Sequence, residues 1–85
     1  MTSVDNFRQE LLVQMGRALK SGAGNVLINA PDLYRSVGGR PGSNLGMPSC
    51  CNAMRGEMQP GDLLLVERTS PAGMTVRYFF PRNAP

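Results

Sequence analysis

Cys50 and Cys51 are the candidate nucleophiles in this sequence, but nothing in the chain is suited to activate them. The chain contains no histidine that could act as a general base, and its six carboxylates are scattered without a pairing spacing. The lack of histidine and of a CxxC pair also argues against a zinc site. The glycine-rich stretches do not have the spacing of phosphate-binding loops. We therefore expect no catalytic residues, no metal site and no cofactor.

Other side chains are suited to recognition by hydrogen bonds. At about 100° per residue, one face of a predicted helix carries Ser49, Asn52, Ala53 and Gly56, with Arg55 and Gln59 on its flank. Asn52 can pair with an adenine edge, and Arg55 or Gln59 can reach a base or a phosphate. The alternative is an ordinary solvated helix face. Such faces usually carry lysine and glutamate, whereas this one has no lysine and only Glu57 towards its edge.

Three further arginines are candidate phosphate contacts. Arg68 closes the first strand of a predicted hairpin and Arg77 lies within the second, both near a Thr-Ser tip that can donate to phosphates. The alternative is that both are cross-strand neighbours of Glu67 that serve the sheet surface. Arg40 lies in a glycine-rich loop, where it is either a phosphate contact or a plain loop arginine.

The elements that must position these residues begin with a helix. Apolar residues recur at steps of three and four and predict an amphipathic helix over 3–20. Its apolar stripe consists of Val4, Phe7, Leu11, Met15, Ala18 and Leu19. Val13 lies opposite the stripe, either as an isolated exposed valine or as part of a dimer contact. A short strand is predicted over 25–28.

Two more helices and a hairpin follow. Asn29 as N-cap and Pro31 in the first turn predict a helix over 30–37. Pro48 begins a third helix over 48–58, with an apolar stripe of Met47, Cys50, Cys51, Met54 and Met58. This stripe favours a core role for both cysteines over a redox sensor. A hairpin is predicted over 62–80, with strands at 63–68 and 74–80, and the residues after it are expected to fray.

The composition is typical of one small globular domain. The chain has 85 residues, of which 41% are hydrophobic and 18% charged, and so small a core argues against a deep substrate pocket and an enzyme. Its formal charge is +3, and Lys20 is the only lysine among nine basic residues. Arginine suits phosphates and guanine edges, although a GC-rich genome would produce the same bias. With no apolar span, no signal-peptide pattern and unbridged cysteines, we expect a cytoplasmic protein without a membrane partner.

The order helix, strand, helix, helix, strand, wing loop, strand resembles the winged helix-turn-helix superfamily over Ser3–Phe80. The likeness rests on element order and length, and the loop of about eight residues between the second and third helices is longer than in the tight form. It implies an α+β fold, a winged helix of three helices with a small antiparallel sheet and a β-hairpin wing, in one domain over 1–85. In such proteins the third helix lies in the major groove and the wing touches the flanking backbone.

The resemblance implies a non-catalytic protein that binds double-stranded DNA, such as a transcriptional regulator or an accessory factor of a mobile element. The expected DNA contacts are Arg40, Ser49, Asn52, Arg55, Gln59, Arg68 and Arg77. A homodimer would double the footprint and suit a palindromic site. Alternatively, the same fold serves as a protein-interaction module without DNA binding, and salt-dependent binding to duplex DNA separates the two. A small β-barrel is a third option, but it would leave the third helix and its apolar stripe at the periphery.

Overall fold

Three helices and three strands follow one another in a computed structural model that describes residues 3–38 and 46–82. They are α1 (Ser3–Lys20), β1 (Asn25–Asn29), α2 (Ala30–Ser36), α3 (Met47–Gly56), β2 (Leu63–Val66) and β3 (Thr75–Phe79). The structure is a small α+β domain with a three-stranded antiparallel sheet, so the expected class is confirmed. The strand predicted over 63–68 ends at Val66, and Arg68 therefore lies in the turn beyond it.

β3 is the central strand of the sheet, whose order is β1–β3–β2. β1 pairs with β3 in continuous antiparallel register from Asn25 opposite Phe79 to Asn29 opposite Thr75. β2 pairs with the other edge of β3, and its register shifts between Leu64 and Val66. The short strand after α1 thus completes the sheet formed by the hairpin.

One hydrophobic cluster joins α1, α2, α3 and the inner face of the sheet, which is the face turned towards the helices. Its members from α1, α3, the sheet and the residue that precedes β3 are Phe7, Leu11, Met15, Cys50, Cys51, Ala53, Met54, Ile28, Val76, Tyr78 and Met74. The predicted stripe of α1 was wrong for Leu19, which is 53% exposed. Leu19 follows Leu12 by seven residues, or about two helical turns, and both leucines therefore lie on the outward side. Val13 is exposed as expected.

Ala53 was expected on the exposed face of α3, but it is buried. It follows Cys50 by three residues and therefore extends the buried face of the helix. This face packs against α1, and a methyl group leaves room for the two helices to come close. Met54 and Cys50, which were predicted to be core residues, are fully buried.

An ion pair between Asp62 and Arg82 closes the end of the sheet. The Asp62 carboxylate accepts hydrogen bonds from the Phe79 backbone N–H and from the Arg82 guanidinium, both at 3.0 Å. Arg82 also donates to the carbonyl of Glu57 and lies over the ring of Tyr78, 5.2 Å from its centroid. The Asp62 and Arg82 side chains are only 2% and 14% exposed. The chain beyond β3 was expected to fray, but it is held in place as far as Arg82.

Candidate nucleic-acid interface

The exposed side of α3 carries Asn52 and Arg55, while Ser49 near its start is partly buried. Pro48 occupies the first turn, where its missing N–H costs no hydrogen bond and its fixed φ suits the helix. On the other side, burial of Met54 turns the helix so that Asn52 and Arg55 face solvent. The exposed face predicted for α3 is therefore present, but it has fewer residues than predicted because Ala53 is buried.

Arg55 on α3 and Arg68 in the turn after β2 both lie near Cys51, because Arg55 follows Cys51 by about one helical turn and Arg68 lines the same cleft as Cys51. Burial raises the pKa of Cys51, and the positive charges of Arg68 and Arg55 oppose that rise. Neither arginine forms an ion pair with a described residue. The ion pairs within residues 3–38 and 46–82 are Arg8–Glu57, Arg35–Asp32 and Arg82–Asp62. Arg55 and Arg68 are thus free to bind an external anion.

A cleft of ≈ 390 Å³ separates the start of α3 from the wing, which we define as residues 67–74 between β2 and β3. Met47, Pro48 and Cys51 line its α3 side, and Arg68 and Ser70 line its wing side. The cleft therefore brings the guanidinium and hydroxyl donors of the wing close to the N-terminal turn of α3. This is a geometry in which both elements can contact one extended ligand.

The wing is held against the start of α2 by a close contact at Gly73. A Cβ atom at this position would lie 2.5 Å from Cδ of Pro31, and the φ angle of Gly73 is +84°. Both the contact and the positive φ require glycine. The N-cap Asn29 adds a hydrogen bond from its amide to the carbonyl of Ala72 at 3.0 Å. These contacts fix the wing relative to the helices.

Two further predicted contacts are Gln59 and Arg40. Gln59 lies in the turn after α3, partly buried, and its backbone N–H donates to the Asp62 carboxylate at 2.8 Å. It is therefore next to the exposed face of α3 but not on the helix itself. Arg40 lies outside the described residues.

Arg77 is not brought together with the other predicted contacts. It lies on β3 between the buried residues Val76 and Tyr78, and alternation therefore turns it to the face opposite the helices. Its cross-strand neighbours are Leu27 and Leu63, not Glu67. Its Nε atom is buried without a hydrogen-bond partner among the described residues.

Sequence reasoning missed this second, largely apolar face of the sheet. The available signal was the apolar run Leu63–Val66, since a strand with one solvated face usually alternates between apolar and polar residues.

The described residues offer little support for catalysis. Burial, with the neighbouring Cys51, raises the pKa of Cys50 to about 12, and a thiol kept neutral is a poor nucleophile. Residues 3–38 and 46–82 contain no group of three or more histidine, cysteine, aspartate or glutamate side chains that could hold a metal ion. In the same ranges, no helix is both long and apolar enough to cross a membrane.

Comparison with known proteins assigns no family to this geometry. No family model matches the chain, and no curated protein or solved structure is significantly similar to it. The function must therefore be inferred from the residues themselves: an exposed helix face with an amide and a guanidinium, beside a wing whose guanidinium pairs with no described carboxylate.

Proposed function

We propose that this protein is a winged-helix domain that binds double-stranded DNA without catalysing a reaction. The observation that carries the proposal is the pair Arg55 and Arg68, two cations without carboxylate partners among the described residues, on the side of the domain that includes the exposed Asn52. The order of elements supports it as well, because a winged helix also follows its third helix with a hairpin and adds its first short strand to that hairpin.

Each side chain has a role that its chemistry supports. With α3 in the major groove, the Asn52 amide is suited to an adenine edge, and Arg55 to a guanine or a phosphate. Ser49 lies in the first turn of α3, where backbone N–H groups and the helix dipole favour a phosphate. Arg68 on the wing would contact the flanking backbone. Gln59 and the loop residue Arg40 are the remaining proposed contacts, whereas Arg77, on the opposite face of the sheet, is not retained as one.

The modest charge of the chain shapes the rest of the proposal. A formal charge of +3 gives one copy limited non-specific affinity, because that affinity depends on the number of phosphates neutralised. Two copies on a palindromic site would double the number of contacts. We therefore propose a homodimeric transcriptional regulator or mobile-element accessory factor. The two unbridged cysteines favour a reducing compartment, and we include a cytoplasmic location in the proposal.

An NMR titration of the labelled chain with a random-sequence DNA duplex, at low and moderate salt, tests this function. We expect shifts at 49–59 and 67–74 that fade as salt rises. Arg55→Gln and Arg68→Gln should each weaken binding and reduce the slope of log K against log salt by about one.

Arg17→Gln is the matched control, because Arg17 is an exposed arginine on α1 without an ion pair among the described residues. Its affinity should stay near that of the parent. If no shifts occur at α3 and the wing, or if Arg17→Gln weakens binding as much as the other two changes, the proposal fails.

The alternative is a winged-helix protein-interaction module that does not bind DNA. It is favoured by the exposed leucines on the sheet, since Leu27 is 52% and Leu63 47% exposed. Absence of any salt-dependent DNA binding, together with an intact fold, would leave this alternative as the better proposal.

A further inference from the structure

The outer face of the sheet, the one turned away from the helices, carries Leu27, Leu63, Leu65 and Phe79 around Arg77, with the polar residues Asn25, Asn29 and Thr75 at its two ends. Its three leucines are 46% to 52% exposed. No described helix packs on this face, because the helices share their core with the inner face. Isolated exposed leucines are ordinary, but a contiguous apolar patch with polar surroundings marks a site of contact with another molecule.

Arg77 lies at the centre of this outer face. It is directly opposite Leu27 on one side and Leu63 on the other. Its Nε atom is buried, and neither a hydrogen bond nor an ion pair joins its side chain to any described residue. The Nε atom is closed to solvent and therefore to a partner, but the two Nη atoms of the same guanidinium are not buried. No described residue accepts a hydrogen bond from them, so a partner molecule can supply the acceptor.

We infer that the outer face binds an amphipathic helix of another protein that places one carboxylate, flanked by apolar side chains, on Arg77. A carboxylate can accept two parallel hydrogen bonds from a guanidinium, which is the strongest pairing available to Arg77. Neighbouring strands lie about 4.8 Å apart, so the row from Leu27 across Arg77 to Leu63 spans about 10 Å. A helix with its side chains has a diameter of about 10–12 Å, and one helix therefore covers the row.

A second copy of this chain is a poorer occupant. A two-fold symmetric pairing brings the same patch of both copies together, and would therefore set Arg77 beside Arg77. The outer face contains no carboxylate to separate the two charges, and like charges across an interface are costly. This inference goes beyond the proposed DNA binding and does not rest on it, since α3 packs on the inner face of the sheet.

A display library of amphipathic helices with one randomised position at the centre of the apolar face tests the inference. Selected against the intact chain, the library should become enriched in aspartate and glutamate at that position. Against Arg77→Glu, the same library should become enriched in lysine and arginine. Changing the selected glutamate to glutamine in a synthetic peptide should weaken binding by about thirtyfold, as expected for a residue that dominates an interface.

Matched leucine variants locate the bound peptide. Leu63→Gln and Leu27→Gln should abolish binding, whereas Leu12→Gln should leave it unchanged, because Leu12 is 41% exposed on α1 and lies outside the outer face. Each variant is checked for its fold by circular dichroism, and half-exposed positions tolerate glutamine. Selection without acidic enrichment, no selected binders, or shifts of labelled residues elsewhere would overturn the inference. So would a dimer in sedimentation that Leu63→Gln dissociates, because the occupant would then be a second copy.

Discussion

The hydroxyl of Tyr78 donates a hydrogen bond of 2.6 Å to the carbonyl oxygen of Met54. This bond joins the central strand to the last turn of α3, where carbonyls have no partner within the helix. The carbonyls of Ala53 and Arg55, on either side, accept from backbone N–H groups just beyond the helix. Tyr78 therefore satisfies the carbonyl between them and fixes how α3 is turned relative to the sheet.

Replacing Tyr78 with phenylalanine should lower the free energy of unfolding by about 1–2 kcal/mol, because the buried Met54 carbonyl loses its partner while the packing of the ring is kept. Burial raises the pKa of Tyr78, in keeping with a hydroxyl that stays neutral and donates. Urea unfolding, with the midpoint compared at constant slope, measures the change. An unchanged midpoint would mean that water or another donor replaces the hydroxyl without loss.

Met54→Asp should unfold the domain, because Met54 is fully buried and an unpaired charge in the core is strongly unfavourable. Asn52→Asp, two residues earlier on the exposed side of the same helix, should leave the fold intact. Circular dichroism and the dispersion of amide NMR signals distinguish the two outcomes. A folded Met54→Asp protein would show that the buried face of α3 is assigned wrongly.

Asp62→Ala should cost about 3 kcal/mol of stability, because it leaves the largely buried Arg82 without its carboxylate. The double change Asp62→Ala with Arg82→Ala should cost less than the sum of the two single changes, since the two groups interact directly. Arg8→Ala is the control: its pair with Glu57 is nearly half-exposed on the arginine side and should contribute less than about 1 kcal/mol. Additive costs at Asp62 and Arg82 would contradict a coupled pair.

Stability should decline above pH 9, where unfolded thiols begin to ionise. The pKa of Cys50 is raised from 9.0 to about 12 in the folded chain, so the unfolded state releases its proton first. The stabilisation of the folded state that results from the raised pKa of Cys50 is fully present below pH 9 and is lost as the pH rises towards 12. The slope is at most about 1.4 kcal/mol per pH unit for one thiol.

Cys50→Ala tests this dependence. The variant should be less stable at neutral pH, because a buried side chain is shortened, but its stability should fall less steeply between pH 9 and 12. Unfolding in urea at each pH gives the two curves. Parallel curves for the variant and the parent would exclude Cys50 as a source of the alkaline instability.

Sequence periodicity predicted some of the buried positions of the helices and missed others. It predicted the buried faces of α1 and α3 well where large apolar residues recur, as at Phe7, Leu11 and Met54. It failed at Ala53, because a methyl group is compatible with either face of a helix, and its burial depends on how α3 packs in the domain. Helix boundaries depend on local signals such as Asn29 and Pro31, and these were readable from the sequence.

The candidate site was less predictable, because its parts meet through tertiary contacts. Nothing in the spacing of Arg55 and Arg68 indicates that both lie near one thiol. The pairing of Asp62 with Arg82 likewise joins positions that are far apart in the chain. Arg77 was expected at a DNA interface, but its position depends on strand register, which the sequence left open. Register also decides that Arg77 lies between two leucines.

The central position of β3 has a consequence for biosynthesis. In the described sheet, β1 and β2 each pair with β3 and not with each other. β3 is the last of these elements in chain order, so all three helices leave the ribosome before either strand can find its partner. Until β3 is synthesised, Ile28 on β1 has no paired strand beside it. Its apolar side chain is then exposed in the incomplete chain, where it can aggregate or bind chaperones. Neither pairing of the sheet can therefore form until β3 has been synthesised.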